Sequence, residues 1–445
     1  MNESWVDEGK LLTLTEFALK HAKSLGASEA EVGFSVAKGL SVNVRMGSVE
    51  TLEFTRDQGF GLTLYNGTAK GHASTGVLTR AGIEEALQKA WDIASVTCKD
   101  EFAGLAPAAL MAKSLPDLSL NHPWDVTPDT LIEMAKSAEN AALTFDPRIK
   151  NSEGSGIDTH KGFKIYANSH GFVGKVYSTR HGLSVTAIAE DENGRMERDY
   201  DYTVARDQKD LELGAVIGRK AAEKAVKRLN PRKVQTCQVP ILFDHGVAKS
   251  LWGTYLSAVS GGNLYRKSSF LLDSMGEKVF CEAVNLVEKP HLLKGLGSSA
   301  FDSEGVATQE RTLVSQGVVQ GYILSAYSAK KLGMQTTGNA GGVHNVFVET
   351  QTESVEALLK KMQKGILVTE LMSQGVNMVT GDYSRGAAGF WVENGEIQYP
   401  VSEFTIASNL KEMFKGMIGF GDDIDHRGNI LTGSVLIDRM TVAGG

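Results

Sequence analysis

An α+β fold in two domains is predicted by three features of the sequence. Helical apolar spacing alternates with runs of period two, glycine is abundant but dispersed, and one proline-marked junction divides the chain. Glycine accounts for 48 of 445 residues, above the roughly 7% of an average chain. It falls among strand-like segments rather than in a linker, which points to tight turns and bent strands. Proline is scarce at nine, so no disordered hinge is expected.

Leu14, Phe17, Ala18, His21, Ala22 and Leu25 recur at spacings of three and four and predict a helix over 12–25, stopped by Gly26. The period then changes to two over 31–36, 40–45 and 59–65, closed by the turn dipeptide Asn66-Gly67. Helical spacing returns over 81–93. The same grammar follows downstream: a helix over 128–143, strands over 162–168, 171–177 and 183–189, and an alanine-rich helix over 211–229. This is helix–strands–helix twice, the pattern of a duplicated unit.

Pro231-Arg232-Lys233 ends that helix and gives the domain boundary, 1–232 against 233–445. Beyond it the chain is glycine-rich and β-dominated. It opens with a strand over 239–243 and carries short helices over 247–259 and 354–363. Strands are expected over 387–392 and 433–437, and Glu393-Asn394-Gly395-Glu396 is a hairpin signal.

Composition limits the function. Lys plus Arg is 46 and Asp plus Glu is 53, for a net charge of −7, so direct nucleic-acid binding, which needs a basic surface, is not expected. Residues 1–10 are polar and acidic, and no apolar run reaches the roughly 18–20 residues of a membrane span. Cys98, Cys237 and Cys281 are too few and too far apart for a disulfide framework or a cysteine zinc site. A cytoplasmic protein without membrane contact is the expectation.

Local motifs are sparse. No two of the ten histidines are closer than ten positions, so the helical zinc pair at i and i+4 is absent. Gly338-Asn339-Ala340-Gly341-Gly342-Val343-His344-Asn345 reads as a tight turn rather than an anion nest. Asp422-Asp423-Ile424-Asp425-His426 reads as a hydrated acidic loop. Ser152 to Gly156 lacks the strand-to-helix setting of a nucleophilic serine and reads as a loop. In Gly381-Asp382-Tyr383-Ser384-Arg385-Gly386 the small residues admit another backbone, and Arg385 offers a planar fork to a carboxylate. A peptide terminus or an internal ion pair would satisfy that fork equally.

Several stretches carry a resemblance: Ser260-Gly261-Gly262-Asn263-Leu264-Tyr265-Arg266-Lys267-Ser268, Phe301-Asp302-Ser303-Glu304-Gly305-Val306, Ala326-Tyr327-Ser328-Ala329-Lys330-Lys331-Leu332-Gly333, and Gly381-Asp382-Tyr383-Ser384-Arg385 continuing to Ile397. With them the C-terminal half resembles the PmbA/TldE branch of the TldD/PmbA family of metallopeptidase-like proteins, and length and layout agree along the chain. The resemblance implies subunits of two α/β domains that pair and enclose a cavity where peptides are cut. The TldD branch carries His-Glu-x-x-x-His on a helix plus a later cysteine, with the imidazoles on zinc and the glutamate as base.

Carried onto this chain, that motif falls on Asp244 at the first histidine, His245 at the glutamate and Lys249 at the second histidine. The cysteine falls in Leu371-Met372-Ser373-Gln374-Gly375, which has no thiol. Lys249 has no lone pair to offer when charged. The resemblance therefore implies no metal and no cofactor in this chain, zinc in a TldD-type partner, and no catalytic residue here. The chain would contribute one wall of a peptide chamber, taking substrate by strand addition with Asp382, Tyr383, Ser384 and Arg385 as groove residues. Microcin maturation and antitoxin degradation are the family roles, and a homodimer is expected for the isolated chain. The alternatives are a homodimeric metallopeptidase with a noncanonical site at Asp244 and His245, or a non-proteolytic modulator of a partner such as DNA gyrase.

Overall fold

The computed structural model describes residues 5–373 and 375–444. Residues 1–4 of the polar opening and Gln374 of the mapped cysteine region lie outside them. The first pass of the chain is α1 (Glu8–Ser24), β1 (Glu29–Arg45), β2 (Ser48–Asn66), β3 (Ala69–Thr75) and α2 (Arg80–Val96). The second is α3 (Pro128–Leu143), β4 (Ile149–Asn168), β5 (Val173–Glu190), β6 (Met196–Ala205) and α4 (Gly214–Lys227). Helix starts follow local chemistry: Asp7, Thr79 and Thr127 each accept a backbone N–H of the turn they open.

The two passes form one antiparallel sheet in the order β3-β2-β1-β4-β5-β6, mirrored about the central β1–β4 pair. Val32, Phe34, Val36, Leu40, Val42 and Val44 of β1 are all buried. These alternate residues point to one face, where the cores under α1 and α2 and under α3 and α4 lie side by side.

Three expectations change in this sheet. The strands expected over 31–36 and 40–45 are one strand, β1, because Gly39 interrupts the side-chain pattern without interrupting the pairing. A Cβ on Gly39 would lie 2.2 Å from the His160 ring, so glycine leaves that imidazole room to cross the strand. The strands expected over 171–177 and 183–189 likewise fuse into β5. Ser152 to Gly156 is not a loop but part of β4, which bulges there, with Gly154 at φ +120°.

The C-terminal half comprises β7 (Cys237–Phe243), α5 (His245–Ala258), α6 (Gly261–Tyr265), β8 (Asn285–Glu288), β9 (Arg311–Ser315), β10 (Val318–Val319), α7 (Ala326–Lys331) and β11 (Val346–Glu349). It continues through α8 (Val355–Met362), β12 (Gly365–Met372), β13 (Asp382–Glu393), β14 (Glu396–Asn409), α9 (Leu410–Lys415), β15 (Met417–Phe420), β16 (Ile430–Leu431) and β17 (Val435–Ala443). The main sheet runs β14-β13-β12-β7-β17-β15, and a further β14–β17 pairing closes five of its strands into a ring.

β7 is apolar on both faces because both are covered. Ile241 and Phe243 meet α5 through Leu251, Trp252 and Tyr255. Leu242 meets α8 through Leu358, Leu359 and Met362. The β13–β14 hairpin turns on Asn394 and Gly395, both at positive φ, as its sequence predicts. A smaller sheet, β10-β9-β8-β11-β16, lies alongside. Among the described residues no helix is long and apolar enough to cross a membrane.

Helix α4 can lie against α3 only because Gly218 has no side chain: a Cβ there would lie 2.1 Å from the Ala138 carbonyl oxygen. Gly218→Ala is therefore expected to destabilise the N-terminal half by about 1–3 kcal/mol. A lowered urea midpoint without a change of slope would register it.

Candidate functional site

Asp244 leaves β7 and caps α5, its Oδ1 accepting the Gly246 N–H at 2.9 Å. His245 and Lys249 follow on the first turns. All three face a cavity of about 560 Å³ between the two halves, whose far wall is Asp199, Asp201 and Tyr202 of β6. The mapped positions are thus brought together in one cleft.

What fills that cleft is a charge network that sequence reasoning missed. The acidic run at 422–426 is not a hydrated loop, because Asp423 and Asp425 fold inward. Asp423 Oδ2 lies 3.0 Å from His245 Nδ1 and accepts the Ser434 hydroxyl at 2.7 Å, while its Oδ1 accepts the Ser434 N–H. Asp425 is buried and accepts Arg427 Nε at 2.8 Å. The same guanidinium reaches across to the other half. It donates to Asp201 Oδ1 at 2.7 Å and to the Tyr202 carbonyl at 3.1 Å, and lies 4.5 Å above the Tyr202 ring. Lys249 completes it, with Nζ 3.8 Å from Asp425 Oδ2 and 3.4 Å from the Tyr202 hydroxyl.

These contacts set the protonation states. The hydrogen bond to Asp423 raises the His245 pKa, against burial and with the help of the Asp244 charge. Burial alone would raise the Asp423 carboxyl, yet the hydrogen bonds from His245 and Ser434 outweigh it and hold it low. Burial is likewise outweighed at Asp425, here by Arg427.

One donor atom from each of Asp244, His245 and Asp423 lies within 4.8 Å of the others, a span a divalent ion could bridge. The present partners argue against that use. His245 Nδ1 is engaged by Asp423, and Arg427 stands 3.5 Å from its other ring nitrogen. A metal ligand must present a free lone pair and a site free of competing cations. As bonded here, the three donors belong to a hydrogen-bonded ion network.

The groove candidates separate. Arg385 lines a second cavity of about 420 Å³ that shares Asp199, Val247 and Lys249 with the first. Its Nε donates to the carbonyl of Ser373, in the mapped cysteine region, and no carboxylate pairs with it among the described residues. Tyr383 is 3% exposed and belongs to the core. Asp382 is turned outward, bonded to Thr380 and Asn409.

Strand addition at 382–385 is excluded by the pairing. One side of this stretch pairs with β14, from Asp382↔Asn409 to Arg385↔Ile406. The other is engaged through Tyr383 with Val376 and through the Ser384 N–H, which donates to the Gly375 carbonyl. The glycine turn at 338–345 is not freely solvated. Asn339 and the His344 ring and N–H all bind the buried carboxylate of Glu288.

Comparison with known proteins places these residues in a family. The PmbA/TldA metallopeptidase domain 1 matches residues 30–94, the central domain matches 121–229, and the C-terminal domain matches 236–444. The metalloprotease PmbA of Escherichia coli O157:H7 is 49% identical over 430 residues, covering 97% of this chain and 95% of that one. A crystal structure of a candidate DNA gyrase modulator from Bacteroides thetaiotaomicron superposes with a TM-score of 0.93 at 31% identity, covering 99% of this chain and all of that one. TldE from Thermococcus kodakarensis shares the fold, with a TM-score of 0.85 at 20% identity over 97% of this chain and 100% of that one.

Two outcomes follow from the network. Arg427→Leu removes the cation hydrogen-bonded to both buried carboxylates, leaving only Lys224 at 3.4 Å from Asp201 and Lys249 at 3.8 Å from Asp425, and should cost about 3 kcal/mol, measurable by urea unfolding. His245→Gln should show a pH signature. The folded His245 pKa is raised, so its contribution is complete below the unfolded value of 6.5 and is lost as pH rises through the folded value. The stability gap between intact chain and variant, about 1 kcal/mol at pH 5.5, should narrow steadily above neutrality.

Proposed function

Because this chain belongs to the PmbA/TldA metallopeptidase family, as its three domain matches and 49% identity to a family metalloprotease establish, we propose that it is the partner subunit of a peptide-cutting complex rather than the zinc-bearing one. One observation carries this reading. Where the catalytic branch has a histidine, a glutamate and a second histidine, this chain has Asp244, His245 and Lys249, with the guanidinium of Arg427 set among the surrounding carboxylates. A cation already neutralises the acidic cluster, and a dication beside it would be repelled.

On this reading a TldD-type subunit supplies the zinc, and this chain supplies part of the chamber wall. The cleft suits a peptide, since it joins aromatic surface from Tyr202 and Tyr399 to cations on both sides. Arg385, with no carboxylate of its own among the described residues, is the group we assign to a peptide carboxylate. Microcins and antitoxins are the substrate class implied by the family resemblance, and the cytoplasm the compartment. The second reading is a metallopeptidase using Asp244, His245 and Asp423, and the 4.8 Å span of their donor atoms is the observation in its favour.

The deciding assay measures cleavage of an unfolded peptide by this chain alone, by a TldD-type partner alone, and by the two together. The expected result is activity only with the partner present, rising at least about tenfold in the mixture. Metal analysis of the isolated chain is expected to find far less than one zinc per chain. Stoichiometric zinc together with cleavage by the chain alone would establish the second reading instead.

A further inference from the structure

The N-terminal sheet carries its helices on one face, and on the other it bounds a cavity of about 970 Å³ roofed by loops of the C-terminal half. This cavity shares no lining residue with the cleft at Asp244. Its floor is unusually bare. Gly33 of β1 stands opposite Gly61 of β2, and Gly59 of β2 stands opposite Ser35 of β1. None of these glycines has a positive φ, and a Cβ built on any of them would meet nothing closer than 3.5 Å. Neither conformation nor packing requires glycine at these positions. Glycine weakens a strand interior, and what its presence provides here is open volume above the sheet.

At one end of the cavity stands Arg206. Its terminal nitrogens donate to the Thr179 carbonyl at 3.1 Å and the Leu296 carbonyl at 2.8 Å, while Nε is buried with no acceptor. Arg228, Arg311 and Arg427, which are comparably buried, each hold a carboxylate. Arg206 has none among the described residues. Lys164 on the floor has none either. The one buried acid in the lining, Asp302, is already engaged by the N–H groups of Glu304, Val306 and Ala340. Burial lowers the Arg206 pKa with no carboxylate opposing it, so the charge is held at a cost that a bound anion would offset. The hydroxyls of Ser35, Ser74, Ser178 and Ser303 line the same space and make no side-chain hydrogen bond within the described residues.

We propose that this cavity binds a small organic anion, with its carboxylate or phosphate against Arg206 and its polar body on the glycine floor beneath the serine hydroxyls. The volume falls within the range of small-molecule sites, and the chemistry is that of charge-assisted hydrogen bonding.

Isothermal titration of the full chain with inorganic phosphate and, separately, with succinate tests the site and distinguishes the two anion types. Saturable binding of at least one is expected. Arg206→Gln should weaken it about tenfold or more. Gly61→Val should abolish it while leaving the urea midpoint unchanged or raised, since valine suits a strand and only fills the cavity. Because Arg206 also joins two backbone carbonyls, Gly61→Val decides the matter if Arg206→Gln fails to fold. The proposal is overturned if neither probe binds saturably below about 10 mM, or if a folded variant binds as tightly as the native chain.

Discussion

Beside the cleft, the guanidinium of Arg427 ties segments of the two halves together. It lies between Asp201, at the end of the first sheet, and Asp425, in a loop some two hundred residues later, and it covers the ring of Tyr202. Each of those carboxylates has been taken out of water, and an unpaired buried carboxylate is strongly destabilising. The cation therefore holds the two halves together at the cleft, alongside the Arg228–Glu370 and Lys294–Asp207 pairs and the cluster around Phe172 and Phe301 elsewhere along their boundary. His245, Asp423 and Ser434 form a second, smaller network beside it. Together they fix the first turns of α5 against β6 and the segment that precedes β17. The architecture around it is sustained by ion pairs internal to the protein.

Much of the fold is legible in the residues. Alternating and helical periodicities delimit the four N-terminal helices, and the hairpin at Asn394-Gly395 follows from two positive φ angles that few other residue pairs tolerate. The repeated order of elements is also visible, and it becomes a mirrored sheet. The lengths of the strands are not, because glycines such as Gly39 and Gly154 read as breaks in a local pattern although the pairing runs through them. That distinction is made by the neighbouring strand, not by the strand itself.

The site is legible only in its seed. Asp244, His245 and Lys249 are found by resemblance, but their partners come from about 200 and about 425, and nothing local joins those segments. A run of four acidic and basic side chains within five residues looks hydrated, because two of the cationic partners that meet it, His245 and Lys249, are distant in the chain, and Arg427, two residues on from Asp425, turns inward only to reach Asp201 in the other half. Arg385 is found, yet the mode of binding first attached to it fails because the ring of strands leaves no free edge at 382–385. Sequence texture identifies a residue able to hold a carboxylate. Only topology says whether its backbone is also available.

The mirrored sheet has a consequence for synthesis on the ribosome. Its midline joins β1 to β4, with Val36 opposite Phe163, so the second edge of β1 stays bare until well over a hundred further residues have been translated. The first three strands and their two helices can collapse early as a local meander, whereas the seam must wait. During that interval the nascent chain exposes a long β edge, and Lys38 and Arg45 place charge along that strand, a feature that discourages a neighbouring nascent chain from taking the place reserved for β4.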